Sequence, residues 1–325
     1  MKTTLPLIAT LLLGALATGS ADAQVYPAKP VRLVIQVPPG GLQDSLARAL
    51  AQDLGKLWNQ PMVVDNRPGA GGIPAAEQVA RSAPDGYTVL QTDNISFLTN
   101  EFLRTAKLPY DLQKDFAPVS VLVSAKNIVV GSPNLPVGTM PQLIALARQK
   151  PGALNYGSFG IGSIVHIDME ALANEAGVKF NHVPYKGGAP LVQAVLANEI
   201  EFAMMGMTAA IPLIRQGRIK ALAYGGLNRS PLFPDLPTLS ESGFKGFDSG
   251  AWFCWMVPAQ TPRAVVERIA VDAGRVMTVP EFKERNITGV GHELVNVQGA
   301  KLWDMLADDR KVFAARVKPL NLKLD

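Results

Sequence analysis

The stretch that most restricts the fold is Val31-Arg-Leu-Val-Ile-Gln-Val-Pro-Pro-Gly-Gly-Leu-Gln-Asp44, which runs directly into a helical pattern over Ser45 to Trp58. A short apolar run, a glycine pair, and then Leu46, Leu50, Leu54, Leu57 and Trp58 at helical spacing read as a buried strand that delivers the chain to a helix N-terminus. The first N–H groups of such a helix have no partner within it and carry the positive end of its dipole. Gly40 and Gly41 have no side chains to hold a ligand away, so the junction is a seat for an anion. A carboxylate of a small ligand is the expected occupant.

The same logic recurs down the chain. Met62 to Asp65 reads as a strand, residues 66–72 as a glycine-rich turn, Ala75 to Arg81 as a helix and Tyr87 to Gln91 as the next strand. Strand, helix, strand, helix, strand is a parallel α/β pattern whose ligands bind at the carboxyl ends of the strands. The loops after Val37 and Gln91 then share one edge. Val119 to Val130 is too long for an ordinary strand and reads as a crossing into a second lobe. There Thr139 caps a helix over Pro141 to Gln149, and a strand from Leu154 enters the turn Ser158-Phe-Gly-Ile-Gly-Ser163. Helix Ile164 to Ala176 follows, then strand Phe180 to Val183, a helix opened by residues 185–190, and strands Ile200 to Met205 and Ile219 to Tyr224. Gly250 to Pro258 recrosses, Thr261 is the expected cap of the next helix, and the chain ends in helices, the last with Trp303, Leu306, Phe313 and Val317 on one face.

The fold class is therefore α/β, with two lobes joined by a two-strand hinge and a ligand cleft between them. Residues 24–126 plus 250–325 form the first lobe, with the C-terminal helices packed back on it, and residues 127–249 form the second. Residues 1–23 read as a signal peptide: Lys2 precedes an apolar core from Leu5 to Ala17, and Ala21-Asp-Ala23 supplies a peptidase site, with cleavage after Ala23 and export to a periplasm. Removing residues 1–23 from 325 leaves 302, enough for two domains. The net charge of +4 is scattered and aromatics are 7%, which argues against nucleic-acid binding.

The turns together resemble the Bug family, the periplasmic solute receptors of tripartite tricarboxylate transporters. The resemblance is carried by Pro38-Pro-Gly-Gly41 with Asp44, Asn66-Arg-Pro-Gly-Ala-Gly-Gly72, Pro84-Asp-Gly-Tyr-Thr88, Leu108-Pro-Tyr-Asp111, Lys114-Asp-Phe-Ala-Pro118, Leu154-Asn-Tyr156, His182-Val-Pro-Tyr-Lys-Gly187 and Leu236-Pro-Thr238, in the family's order. It implies a type II periplasmic-binding-protein fold and a carboxylate held in the cleft without catalysis and without a cofactor. Membrane subunits of a tripartite transporter, or a sensor kinase, are the implied partners of a monomeric receptor.

The resemblance places one ligand carboxylate on Pro39, Gly40, Gly41, Leu42, Gln43 and Asp44. The loop from Thr92 to Ser96, with Thr92 and Asn94, lines the wall, and Ser158, Phe159, Gly160, Ile161, Gly162 and Ser163 meet the other end, beside His166, Gly188 and Met205; strand alternation nonetheless makes Met204, Met205 and Met207 core residues more often than pocket residues. Asp44 reads equally as a helix cap, acting through loop shape. Ser158, Ser163 and Gln43 are expected to donate to a carboxylate. Several positions depart from the family pattern: Leu42 and Gln43 stand where small or hydroxyl residues are usual, Ile161, Ile164 and Val165 where polar ones are, and Met204-Met-Gly-Met207 where an acidic or amide residue often sits. These exchanges point to a ligand with an apolar or aromatic body in preference to citrate.

Other chemistries find little support. His166 and Glu170 have a spacing two metal ligands could use, but the chain has only three histidines and no metal site is expected. Ser242-Gly-Phe-Lys245 lacks the motifs that accompany a catalytic Ser-x-x-Lys, and no Gly-x-Ser-x-Gly occurs. Cys254, the one cysteine, lies in an apolar strand and reads as an inert buried thiol that forms no disulfide.

Overall fold

The computed structural model describes residues 26–324, so the expected signal peptide and its expected cleavage after Ala23 lie outside the described residues. Strand β1 (Val31–Ile35) ends just before the glycine pair, and helix α1 (Leu42–Trp58) begins directly after it. β2 (Met62–Asn66), α2 (Ile73–Ala80) and β3 (Thr88–Asp93) follow, with β1 parallel to both of its neighbours. The chain then enters α3 (Asn94–Leu103), a helix where the sequence suggested only a loop, and the short α4 (Leu112–Asp115).

β4 (Phe116–Gly131) is the crossing expected from the long apolar run. It leads to α5 (Met140–Gln149), β5 (Asn155–Ser158), α6 (Ile164–Ala176), β6 (Asn181–Pro184), α7 (Gly188–Leu196), β7 (Phe202–Gly206), α8 (Met207–Arg215) and β8 (Lys220–Tyr224). β9 (Gly250–Pro258) returns, followed by α9 (Arg263–Thr278), α10 (Pro280–Asn286), β10 (His292–Gln298) and α11 (Lys301–Val317).

Two strands carry both lobes. β4 pairs antiparallel with β9 as far as Lys126 opposite Gly250, and from Asn127 onward it pairs instead with β7 and β8. The first lobe's sheet runs β2-β1-β3-β9-β4-β10 and the second's β8-β4-β7-β5-β6, with β5 parallel to β6 and β7. β10 was hidden among the expected helices, although Glu293-Leu-Val-Asn-Val-Gln298 carries strand-like branched residues.

Alternation along the strands assigns the two cores of each lobe. In the first lobe Leu33 and Trp255 face α1 and α9, where Leu50, Leu54 and Met277 are fully buried, while Val34 and Cys254 face α2, α3 and α11. Each fully buried leucine contributes about 1.5–3 kcal/mol. In the second lobe Tyr156 and Met204 face α5 and α6, and Ala203 and Met205 face α7 and α8.

Two sequence expectations change. Thr261 does not cap α9: Pro262 occupies that position, and the Thr261 hydroxyl is buried without a partner. The last helix also does more than cover the first lobe. Arg316 donates to the fully buried Asp168 of α6 at 2.7 Å and to the Asp248 carbonyl at 2.7 Å, so α11 ties both lobes together beside the hinge.

Candidate functional site

The turn after β1 is built from backbone and held from outside. Gly40 has φ +90°, a conformation other residues reach only with strain. Its N–H donates to Asp44 Oδ2 at 2.9 Å, Arg48 Nε donates to the same oxygen at 2.9 Å, and Asn66 Nδ2 donates to Oδ1 at 2.9 Å and to the Val37 carbonyl at 2.9 Å. Burial works to raise the Asp44 carboxyl, but Arg48, the Gly40 N–H and Asn66 outweigh it and hold it below the usual range. Asp44 therefore stays ionised and spends its oxygens on the loop, which is the shape-holding role among those expected of it. Gly41 is the N-cap residue of α1, and no side chain caps that helix, so its first N–H groups remain available to an anion. Pro39, Gly40 and Gly41 are exposed and Leu42 is half-buried.

Gln43 behaves differently from the expectation that it donates to a ligand carboxylate. Its Nε2 donates to Asp93 Oδ2 at 2.5 Å, its main-chain carbonyl accepts from Gln91 Nε2 at 2.7 Å, and its Oε1 is buried without a partner. Asp93 ends β3 and caps α3, accepting from the Ser96 N–H at 2.7 Å and from Gln36 Nε2 at 2.6 Å. Burial pushes its carboxyl upward against these bonds from Ser96, Gln43 and Gln36. Thr92 donates to Gln36 Oε1 at 2.9 Å. Asn94 accepts from the Trp252 N–H at 3.0 Å and donates to Asp309 at 2.7 Å, which fixes it to the hinge strand and α11.

The second-lobe turn is held from within. Ser158 is fully buried; its Oγ accepts from the Gly160 N–H at 3.1 Å and lies 2.7 Å from His182 Nε2. Ser163 Oγ donates to the Gly160 carbonyl at 2.7 Å. Both hydroxyls expected to bind a carboxylate are therefore engaged inside the turn, because positive φ at Gly160 and Gly162 folds the backbone back onto them.

His166 is likewise structural: its Nδ1 accepts from the Gly162 N–H at 3.1 Å, and its ring stacks on His182 at 4.1 Å between centroids. Burial lowers both rings, His182 to about 4 with help from its neighbour His166, so both are neutral near pH 7. What the turn leaves half-buried or exposed is Phe159, Gly160, Ile161, Ser163 and Ile164, followed by the uncapped N-terminus of α6.

Three contacts relate these turns to the rest. Gly206, the uncapped start of α8, lies near Leu42, the first residue of α1: a methyl there would lie 3.4 Å from Leu42 Cδ1, so the starts of two helices from different lobes are neighbours. A methyl at Gly188 would lie 3.7 Å from the Phe159 ring, which places the α7 N-terminus beside the second turn. A methyl at Gly162 would lie 2.7 Å from Leu324 Cδ1, so the C-terminal segment reaches that turn too. Beside the hinge lies a cavity of about 270 Å³ lined by Asn94, Trp252, Lys126, Asp248, Ile164 and Arg316.

Met205 is not a wall residue. It packs between Ile128 and Ile211 in the second-lobe core, because α7 and α8 cover one face of β7 while α5 and α6 cover the other. Sequence reasoning missed Gln36, Gln91 and Asn66 as site residues, and placed Asp93 only within the loop from Thr92 to Ser96. Only Asp93 left a local signal, an Asp three residues before Ser96 at the head of an apolar helix. Among the described residues no three His, Cys, Asp or Glu side chains gather as a metal would need. Cys254 is buried and burial pushes its thiol well up, far from a thiolate.

Comparison with known proteins agrees with this architecture. The profile described as "Tripartite tricarboxylate transporter family receptor" matches residues 46–322. BugT of Bordetella pertussis is 35% identical over 246 residues, 75% of this chain and 76% of its own. A Rhodopseudomonas palustris protein, Rpa4515, solved with adipate, is 29% identical and superposes with a TM-score of 0.82 over 90% of this chain and 97% of its own. MatC of the same organism, solved with malate, is 26% identical with a TM-score of 0.77, over 90% of this chain and all of its own.

Proposed function

The chain belongs to the tripartite tricarboxylate transporter family of periplasmic solute-binding receptors, and from that premise we propose that it captures a small carboxylate between its lobes without transforming it. The observation that carries this reading is the meeting of the uncapped N-termini of α1 and α8 across the lobes, at Leu42 and Gly206. Two positive dipole ends with free N–H groups favour an anion there by roughly 0.3–1 kcal/mol each, and more when water is excluded. That relatives were solved with adipate and malate supports the same class.

In this reading the ligand carboxylate rests on the backbone of Gly40 to Gln43. Asp44, Asn66 and Arg48 hold the loop, and the turn from Phe159 to Ser163 closes over the other end. Closure turns on Lys126–Asn127 and Ser249–Gly250, where β4 and β9 pass between the lobes. The closed receptor is then offered to the membrane subunits of a transporter, after export and removal of residues 1–23.

Leu42, Phe159, Ile161 and Ile164 favour a ligand with an apolar or aromatic body, since each square ångström of apolar surface they cover contributes about 25 cal/mol. A thermal-shift screen of aromatic acids, adipate, malate and citrate tests this. The melting temperature is expected to rise with an apolar-bodied acid; a rise with citrate alone would contradict the preference. Mass spectrometry of whatever copurifies with the protein identifies the natural ligand independently.

A further inference from the structure

We propose that Gln43 Oε1 selects ligands that carry a hydrogen-bond donor, a hydroxyl or N–H, close to the carboxylate seated on α1; the proposal rests on the carboxylate-receptor reading and names the ligand's class within it. Four buried side-chain polar atoms among the described residues lack a partner, on Gln43, Thr261, His292 and Asn296, and Gln43 alone lies in the turns at the lobe junction. Gln43 is 7% exposed, and its neighbour Leu42 lies where a methyl added at Gly206 of the opposite lobe would be 3.4 Å from it.

An amide can be turned over, so the identity of its inward and outward ends must be fixed by partners. Here Asp93 fixes it. Both of its oxygens already accept, Oδ1 from the Ser96 N–H and Oδ2 from Gln36 Nε2, so the end of Gln43 that faces Oδ2 at 2.5 Å is the NH₂. The carbonyl end is therefore directed away from Asp93 and can only accept. Leaving a buried carbonyl unpaired costs about 1–3 kcal/mol. A ligand donor removes that cost, whereas a ligand acceptor in the same place adds repulsion.

Since Gln43 is the second residue of α1, the acceptor and the free N–H groups of Leu42 and Gln43 belong to one helical turn. One end of the ligand thus meets donors for its carboxylate and an acceptor for a neighbouring group. Hydroxy and amino acids have that arrangement; unsubstituted acids lack the donor, and keto acids and ethers present an acceptor instead. Together with the apolar side chains of the second-lobe turn, this describes a hydroxy or amino acid with an apolar body.

Calorimetric titration with 3-phenyllactate, 3-phenylpropionate and the O-methyl ether of 3-phenyllactate, and with malate against succinate, tests the assignment. The wild-type protein is expected to prefer the hydroxy acid of a bound series by roughly tenfold or more over its unsubstituted partner, with the ether weakest. In Gln43→Met the preference of the hydroxy acid over its unsubstituted partner should fall to within about twofold. Asp93→Asn, which frees the amide to turn over, should raise the ether relative to the hydroxy acid. Equal binding of hydroxy and unsubstituted acids to the wild type, or an equal loss of both in a folded Gln43→Met, overturns the assignment but leaves the carboxylate receptor intact. Binding of no acid in either series, nor of any acid in the thermal screen, overturns both.

Discussion

The turns after β1 and after β5 look alike in sequence, each a glycine-rich passage from strand to helix, yet they are built in opposite ways. The first, around Gly40 and Gly41, is held by side chains from elsewhere: Asp44 and Arg48 on α1, Asn66 on β2, and Asp93 and Gln91 on β3. Its own backbone donors and one amide carbonyl are left over. The second, Ser158 to Ser163, is held by its own hydroxyls and by His166, and what it leaves over is apolar. On the carboxylate-receptor reading, the polar donors come from the first turn and the start of α8, and the turn after β5 mainly supplies shape. Polar residues in a glycine turn are not by themselves evidence of ligand donors.

The largest expected effect that separates the two turns comes from Asp44→Ala. It removes the acceptor of the Gly40 N–H, Arg48 and Asn66 at once, and with Asp44 only 3% exposed it should lower the unfolding free energy by about 2–4 kcal/mol. Urea unfolding measures this, and titration of the folded fraction should show weaker binding of every acid. Retained stability with unchanged affinity would mean that the first turn needs no outside support.

A smaller pair of effects compares Gly40→Ala with Gly162→Ala. Both residues have positive φ, +90° and +78°, so each substitution should cost about 1–2 kcal/mol in backbone strain. A methyl at Gly40 meets nothing within 4 Å, whereas one at Gly162 displaces Leu324. Gly40→Ala should weaken all acids by a similar factor, and Gly162→Ala should alter their order. Identical affinity profiles for the two variants would erase the division between the lobes.

The smallest effect is a pH dependence confined to the second turn. Burial and the neighbouring His166 push His182 down to about 4, while an unfolded histidine titrates near 6.5. Between those values the unfolded chain binds more protons, so the contribution of the neutral ring is complete above about 6.5 and is lost as the pH falls toward 4. His292, also pushed to about 4 by burial, acts in the same direction. Asp168, raised to about 6 by burial against the pull of Arg316, acts in the opposite one, since the folded chain holds its proton more tightly there. The difference between wild type and His182→Gln isolates the ring: the variant should lose less stability from pH 6.5 to 4.5 in urea melts. Parallel curves would show that the stacked pair is not what holds the turn neutral.

Much of the fold can be read in the sequence because the signals are local. The apolar strand before Gly40, the leucine stripe of α1, Thr139 as a cap of α5 and the long run that becomes β4 each follow from neighbours in the chain. The site is less legible because its chemistry is made by distant pairs. Asn66 reaches Asp44 across 22 positions and Gln43 reaches Asp93 across 50, and no local pattern announces either. Ser158 and Ser163 are expected ligand donors in the sequence, and only the folded turn reveals that Gly160 and His182 engage them. Met205 could be read as core or as wall, because alternation shows that one side chain faces away from its neighbour without showing that helices cover both faces of β7. The amphipathic stripe of α11 marks a buried face, while the reach of Arg316 to Asp168 in the other lobe is a tertiary fact.

The most direct test of a carboxylate seat built from backbone in the first lobe is calorimetric titration of each acid that stabilises the protein beside its own primary amide, which has nearly the same shape and no charge. The acid is expected to bind at least about a hundredfold more tightly than the amide, since charge-assisted hydrogen bonds at the neighbouring starts of α1 and α8 are lost together. Equal affinity for acid and amide would contradict it.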